Sequence, residues 1–378
     1  MSKLTIGYTN PRNYNLDKIL LKQPPKEVKL KFIISPSSYV LSRLGGFKGS
    51  VYPKILLPFP KVSLIHSLWA PILNKTPWVL SFSSYLPYFS EKDSKYLYNL
   101  SIKAIKSKYC RKLMPTSENT YNILKNKCFF DKEIESKVEI VNYAYTDVHK
   151  NKPLKRSSEK NLNLLFIGHH FFRKGGDILV SLFNELKNYF NIKLTIISRI
   201  EADDWLTKTS KKDEDGMKNK LTDSSGIDWI NGASYKNIVE KFLPEADIFV
   251  LPTWGDNWGH VLCEALSAGL PVISTKIRAI PEIVQHDVNG FLIDLPVDKH
   301  GVLYTNKLNM KEPDYFKTAR EENLGTMKET FKNYLIKLLQ DEDMRTKFGR
   351  KSRKLFEEKF TYEVRNKKLI EIYKNASM

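Results

Sequence analysis

The chain reads as an α/β protein with two doubly wound parallel sheets, and three observations predict it. At 378 residues it is longer than one hydrophobic core usually fills, so two domains are expected. Short apolar runs alternate with helical stretches in both halves, the pattern of a parallel sheet covered by helices. Between the halves, residues 146–162 (TDVHKNKPLKRSSEKNL) are polar, rich in Lys and Ser, and contain Pro153, as a domain boundary should be.

Composition narrows the class. The apolar fraction, 42%, is that of a soluble globular protein. No run of about 18 apolar residues predicts a membrane-spanning helix. The first residues, MSKLTIGYTNPRNYN, lack the apolar core of a secretion signal. Cys110, Cys128 and Cys263 are odd in number and far apart, which fits a reducing compartment and predicts neither a disulfide framework nor a zinc cluster. A cytoplasmic location is therefore expected. The net charge of +19 is uneven: residues 1–150 hold 24 Lys+Arg against 10 Asp+Glu, residues 151–378 hold 37 against 32. A basic first half points to an anionic partner, namely a membrane surface, an anionic glycan or nucleic acid, or else to a lysine-solvated surface.

In the first half, residues 4–8, 30–34, 62–66, 78–82 and 138–141 are short, apolar and bounded by polar or Pro residues, and are expected strands. Residues 99–113 are expected to form one helix, with Leu100, Ile102, Ile105, Tyr109 and Leu113 apolar and Lys103, Lys106, Lys108, Arg111 and Lys112 cationic. Such a basic amphipathic helix lies on a membrane or packs on a sheet with its charged face in water. Two loops stand out: residues 47–54 mix aromatics and cations, and residues 85–89, which include Tyr85, are almost wholly apolar. An aromatic loop after a strand holds an acceptor, touches lipid, or tucks under neighbouring structure.

The second half restarts the alternation. Strands are expected at residues 162–167, 194–198, 227–230, 248–251, 272–274 and 291–293. Helices are expected at 178–189, 235–243, 281–284, 326–339, 341–359 and 362–373. Residues 203–225 are charged and expected to be a low-order insertion; the Asp213-Glu214-Asp215 run within it reads as solvated loop rather than metal site. Asn289-Gly290 reads as a turn.

The chemistry gathers around residues 247–279, which read strand, glycine-bearing loop, helix, turn, strand. Gly259 permits close approach of backbone amides at a helix start, with Trp258, His260 and Val261 beside it. Asp256 and Glu264 lie eight apart across that loop and helix. Arg173 and Lys174 end another loop that opens a helix. Binding a sugar nucleotide needs such parts: amides and cations for the diphosphate, a carboxylate for ribose, and acceptors for sugar hydroxyls. Taken singly each is an ordinary helix carboxylate or surface cation; together, in matching loop–helix contexts, they form a constellation.

These segments resemble the donor-binding domain of the family 4 (group 1) retaining glycosyltransferases. The matching pieces are Phe166-Ile167-Gly168, Lys174-Gly175-Gly176-Asp177, Ala246 through Pro252, Asp256-Asn257-Trp258-Gly259, Glu264 through Ile273, Pro281-Glu282-Ile283-Val284 and Asn289-Gly290-Phe291-Leu292. The resemblance implies the GT-B architecture, two Rossmann-like doubly wound domains facing across a cleft. Residues 1–150 would bind the acceptor and 151–360 the nucleotide-sugar, with a terminal helix over 361–378 packing back on the first domain. It implies transfer of a sugar from a nucleotide-diphosphate-sugar donor to a glycan or lipid-linked acceptor, with retention and without a cofactor or bound metal; the basic first half adds the expectation of a peripheral contact with the inner face of an anionic membrane. By position in the motif, Glu264 is implied to contact ribose and Asp256 the sugar hydroxyls. Lys174 and Arg173 would stabilise the diphosphate, and Gly168, His169, Asn257, Trp258, Gly259, His260 and Val261 complete the donor site.

Three departures stand against the pattern. Asp256 replaces a longer Glu, His169 stands where an arginine is common, and Ser83 falls where a catalytic histidine is often found. His66, on a neighbouring strand end, is the substitute candidate or a satisfied core histidine; His66, Ser83 and Tyr85 mark the expected acceptor side. Two other readings stay open. One is a non-catalytic scaffold for glycan or anionic lipid, separable by nucleotide release from candidate donors. The other is a DNA-glycosylating enzyme, which the absence of a nucleic-acid motif disfavours.

Overall fold

The structure, a computed structural model, describes residues 3–9, 22–33, 53–56, 61–87, 94–150, 161–203, 206–308, 310 and 312–378. The loop at 47–52, residues 88–89 and most of the interdomain stretch, 151–160, lie outside the described residues. Two compact units emerge. One comprises Met1–Thr146 with Lys359–Met378, the other Asp147–Glu358.

The first unit is built on five strands, β1 (Leu4–Tyr8), β2 (Val28–Phe32), β3 (Leu64–Leu68), β4 (Trp78–Phe82) and β5 (Cys110–Pro115), with α1 (Lys95–Lys106), α2 (Glu118–Lys125) and α3 (Lys132–Lys137). All pairings are parallel, in the order β2-β1-β3-β4-β5. β3 and β4 are buried at every position, as strands covered on both faces must be. Trp78, Leu80, Phe82, Ile65, Ile105 and Leu113 form the core here, each large side chain contributing about 1.5–3 kcal/mol by leaving water.

The expected helix over 99–113 is divided. α1 ends at Lys106, Ser107 turns extended, and Cys110–Pro115 becomes β5. Pairing with β4 overrides the helical spacing, because Cys110, Leu113 and Met114 each gain complete burial in the sheet. Residues 138–141 do not form a strand. They run beside β5 through a single bridge, Leu113 to Val138, and the Val141 amide donates to the Pro115 carbonyl at 3.0 Å.

The second unit has six strands: β6 (Leu162–Ile167), β7 (Ile192–Ile197), β8 (Ile227–Ile230), β9 (Ile248–Leu251), β10 (Val272–Thr275) and β11 (Gly290–Ile293). They pair in parallel in the order β11-β10-β9-β6-β7-β8. Between them run α4 (Gly176–Leu186), α5 (Lys211–Asp223), short helical pieces at Tyr235–Asn237, Ile238–Phe242 and Leu243–Glu245, α6 (His260–Ser267) and α7 (Ile280–Ile283). Then follow α8 (Tyr315–Gln340) and α9 (Glu342–Lys359); α10 (Tyr362–Ser377) belongs to the first unit. The chain leaves β6 toward β7 and β8 on one side, then returns to place β9 on the other. The order therefore reverses between β6 and β9, which is where open α/β sheets bind ligands, beyond the carboxyl ends of their strands.

The expected insertion at 203–225 is largely helix. Ser210 caps α5 and Asp213 returns the bond to the Ser210 amide, a capping box that answers the orphaned first-turn amides. Glu214 in that turn is held by Lys211 at 2.5 Å, Lys218 at 2.6 Å and the Ala202 amide at 3.1 Å. Its two lysines and the amide pull its carboxyl down to about 2.

The expected turn is present over residues 287–289, and it delivers Gly290 directly into a strand. Gly290 opens β11 opposite Val272, and a Cβ there would stand 2.1 Å from the Val272 carbonyl oxygen. Gly290→Ala is accordingly expected to lower unfolding free energy by about 1–3 kcal/mol, the cost of overpacking, read as a lower urea midpoint. An unchanged midpoint would mean that the β10–β11 spacing relaxes freely.

Candidate donor site of the second unit

Two loops rise from the strands that flank the reversal: residues 168–175 after β6 and 252–259 after β9. Sequence separates them by about eighty residues, and the β6–β9 pairing makes them neighbours. They are bound along their backbones. The Arg173 carbonyl accepts from the Trp254 amide at 2.9 Å and the Thr253 hydroxyl at 3.3 Å. Gly175 carries φ +76°, and a Cβ would lie 2.1 Å from the Pro252 carbonyl oxygen. Only glycine allows this approach at that φ. Thr275 fixes the second loop from β10, its hydroxyl donating to the Thr253 carbonyl at 2.7 Å. Ser198 fixes the first, donating to the Gly168 carbonyl at 2.6 Å.

Across this junction the Lys174 ammonium donates to the Asp256 carboxylate and, at 3.3 Å, to the Gly255 carbonyl. The pair is largely out of water, with side chains 11% and 21% exposed. Burial alone would raise the Asp256 carboxyl, but the Lys174 charge and hydrogen bond outweigh it and hold the group below its ordinary value. For Lys174 burial wins over Asp256's attraction, and the ammonium sits below its ordinary 10.5. With its carboxyl held below the ordinary range, Asp256 is charged at neutral pH. Asp256 also accepts from the Trp258 amide at 3.3 Å, which shapes the turn into α6.

The other expected donor residues surround this pair on the same two loops. Gly168 directly follows β6, His169 is exposed, and Arg173 is half-buried. His170 is held below its ordinary value by burial and by Arg173, so it is neutral at pH 7. In the second loop Asn257 is exposed and Trp258 is 4% exposed. Gly259, at φ +82°, caps α6, whose first residues are His260 and Val261. Glu264 lies one turn in and is 8% exposed. The N-termini of α4 and α6 thus begin where the two loops end, and both favour anionic ligands there.

The three acceptor-side candidates lie in the first unit. His66 is fully buried, with Nδ1 2.6 Å from the Tyr373 hydroxyl and Nε2 2.8 Å from the Ser81 hydroxyl. Burial, with the Arg365 charge, drives its imidazole down to about 3, so the ring is a neutral core group joining β3 to α10. Ser83 follows β4 and hydrogen bonds with the Tyr143 hydroxyl, whose phenol burial pushes up to about 12. Tyr85 has the Lys127 ammonium 5.0 Å from its ring centroid.

Sequence reasoning missed the supports of these two loops. Asp177 was part of a motif without a role, and Thr253 and Trp254 were passed over. Arg320, from α8, reaches Asp177 at 2.5 Å across 143 residues of chain. Nothing in its local sequence marks it.

Residues 147–308 match the family model of the glycosyl transferases group 1. An uncharacterized glycosyltransferase of Methanocaldococcus jannaschii is 28% identical over 130 residues, 34% of this chain and 31% of that protein. The chain aligns with about a third or less of the length of such curated relatives. Whole-chain likeness appears among solved structures. A glycosyltransferase from Rickettsia africae superposes with TM-score 0.63 at 14% identity, covering 100% of this chain and 99% of that one. HepE of Anabaena, in complex with UDP and glucose, gives 0.60 at 11% identity over 97% and 98% of the two chains. The fold is that of the GT-B glycosyltransferases, two parallel sheets with flanking helices. Over residues 147–308, the chain is similar to the glycosyl transferases group 1.

Proposed function

We propose that this chain is a retaining glycosyltransferase that moves a sugar from a nucleotide-diphosphate-sugar donor to a glycan or lipid-linked acceptor. The observation that carries the reading is the Lys174–Asp256 pair, which sets a cation and a carboxylate side by side at the reversal point of the second sheet. The UDP and glucose held by HepE are consistent with a donor of this kind.

On this reading Lys174 and Arg173, with the amides at the starts of α4 and α6, take the diphosphate. Glu264 takes ribose, and Asp256 accepts from hydroxyls of the sugar. The bond from the anomeric carbon to the diphosphate oxygen breaks through an oxocarbenium-like state. The acceptor oxygen attacks from the same face, and its proton passes to the departing phosphate oxygen. Negative charge grows on the leaving group, so the cations stabilise the transition state more than the ground state. Charge uptake is assigned to these residues and not to a metal. Among the described residues no helix is long and apolar enough to cross a membrane. The strongly basic residues 1–150 support a peripheral contact with anionic lipid, which would bring a lipid-linked acceptor to the enzyme.

Two predictions follow from the assigned roles. Lys174→Ala is expected to lower kcat by about 10²–10³, as loss of one charge-stabilising donor does, while Glu264→Ala weakens nucleotide binding. Both are to be measured with a donor panel and with circular dichroism as the fold control. Near-normal turnover by both variants sinks the assignment.

The second concerns pH. Since Lys174 is held below 10.5, activity falls on the alkaline side before an ordinary lysine would titrate. Asp256's charge opposes that downward shift, so Asp256→Asn moves the remaining activity's alkaline limb to lower pH. The acid side follows from linkage. A carboxyl whose folded value is depressed contributes stability above its unfolded value, near 3.8, and loses it as pH falls through the lower folded value. An alkaline limb that does not move in Asp256→Asn would contradict the coupling.

A further inference from the structure

The two loops that carry Lys174 and Asp256 share a third contact, made from outside the segment that matches the family. Arg320 lies in the second turn of α8, beyond residue 308. Its Nη2 donates to Asp177 Oδ2 at 2.5 Å, and its Cζ is 5.7 Å from the Trp254 ring centroid. Asp177 is in the first turn of α4, directly after the Lys174-Gly175 turn, while Trp254 sits two residues before Asp256 and is 1% exposed. One guanidinium therefore meets the start of α4, where the first loop ends, and Trp254 of the second loop.

The surroundings favour a directional role. The Arg320 and Asp177 side chains are only 14% and 19% exposed. Burial raises the Asp177 carboxyl despite the guanidinium beside it. Among the described residues, Arg320 Nε and Trp254 Nε1 are buried with no hydrogen-bond partner. A buried pair with unanswered polar atoms is a poor way to gain stability, since desolvation offsets much of the attraction. It is an effective way to set position, because a planar guanidinium fixes a carboxylate in direction as well as distance. A second ion pair, Lys332 with Glu185, continues the contact of α8 with α4 in the same sense along both helices.

We propose that Arg320 is a positioning residue of the donor site: by holding Asp177 and lying against Trp254, it fixes the loops that present Lys174 and Asp256. The proposal rests on the donor reading above for its consequence, though the clamp itself does not. Arg320 is assigned no contact with sugar or diphosphate. It acts through the two loops, whose relative placement sets the distance between the cation and the carboxylate.

The test separates the clamp from the reading. Amide hydrogen exchange is measured on the ligand-free full chain for the original sequence, Arg320→Gln, Asp177→Asn and Arg320→Lys. The expected result is exchange at residues 172–178 and 253–256 at least tenfold faster in Arg320→Gln and Asp177→Asn, with slow core amides of β6 and β9 unchanged. Arg320→Lys, which keeps the charge without the planar fork, is expected to restore protection in part at 172–178. Unchanged exchange in both loops, or faster exchange confined to α8, overturns the proposal. Should Arg320→Gln fail to fold, Asp177→Asn, nearly isosteric, decides alone. Binding of UDP, ADP and GDP is then measured on the same proteins. A tenfold or greater weakening in Arg320→Gln supports the positioning role; undiminished binding with loosened loops overturns it. If the original sequence binds none of the three while the loops respond to Arg320→Gln, the clamp stands and the donor reading falls.

Discussion

A lysine ammonium and an aspartate carboxylate, both largely withdrawn from water, can coexist only if each supplies what the solvent no longer does. Lys174 and Asp256 meet that condition, and much of the second unit is arranged so that they can. Their loops leave adjacent parallel strands, β6 and β9, which the return of the chain across the sheet has made neighbours. The loops dock backbone to backbone, at Arg173 with Trp254 and at Gly175 with Pro252, at distances no side chain at Gly175 would permit. Were either charge removed, the other would be left partly desolvated, and the loops would lose the contact that closes the junction. The pair is thus a consequence of sheet order, and the site's electrostatics are a consequence of the pair.

Support comes from the helices that follow the matched segment. Arg320 grips the loops from α8. Arg353, from α9, holds the other end of α6: its guanidinium donates to the Ser267 carbonyl at 2.8 Å and to both Asp147 oxygens at 2.7 Å. The two arginines differ in a way that physical chemistry separates. Arg353 is bidentate and sits where the carbonyl end of a helix favours a cation, so both geometry and field hold it. Arg320 Nε has no hydrogen-bond partner among the described residues, and its guanidinium faces a carboxylate that burial disfavours. The first reads as an anchor for α6 and the second as a device for orientation.

How much of this was legible in the sequence follows from where the signals are local. The strands at 78–82, 162–167, 227–230 and 248–251 announce themselves as apolar β-branched or aromatic runs, and the structure has them at those bounds. The glycine-bearing turns at Gly175 and Gly259 and the acidic pair at Asp256 and Glu264 also stand out in one dimension. Failures came where a tertiary partner outvoted a local pattern. Residues 107–113 carry helical spacing, but β4 offers Cys110, Leu113 and Met114 full burial. Residues 211–223 look like solvated loop because their mean hydropathy is low; one capping box and the ion pairs of Glu214 suffice to order them. Arg320 was invisible since its partners lie 143 and 66 residues away, and no periodicity encodes such a contact. His66 could be read two ways, and only its surroundings, with both ring nitrogens bonded, tell which.

The Lys174–Asp256 contact raises a question for the proposed chemistry: whether a donor must break it to bind. Counting hydrogen-bond capacity gives the answer. An ammonium has three N–H groups; the Asp256 carboxylate takes one and the Gly255 carbonyl another. The third can reach a phosphate oxygen without disturbing the other two. Asp256 has the complementary capacity, since Oδ2 receives Lys174 and Oδ1 the Trp258 amide, and each carboxylate oxygen has a second lone pair for a sugar hydroxyl. On the proposed reading the donor completes the pair rather than replacing it, so little reorganisation is needed when it enters. The shorter reach of Asp compared with the Glu common at this position is consistent with the same picture. A carboxylate already held against Lys174 is fixed in direction before the sugar arrives. A longer side chain would have another rotatable bond to freeze at that moment.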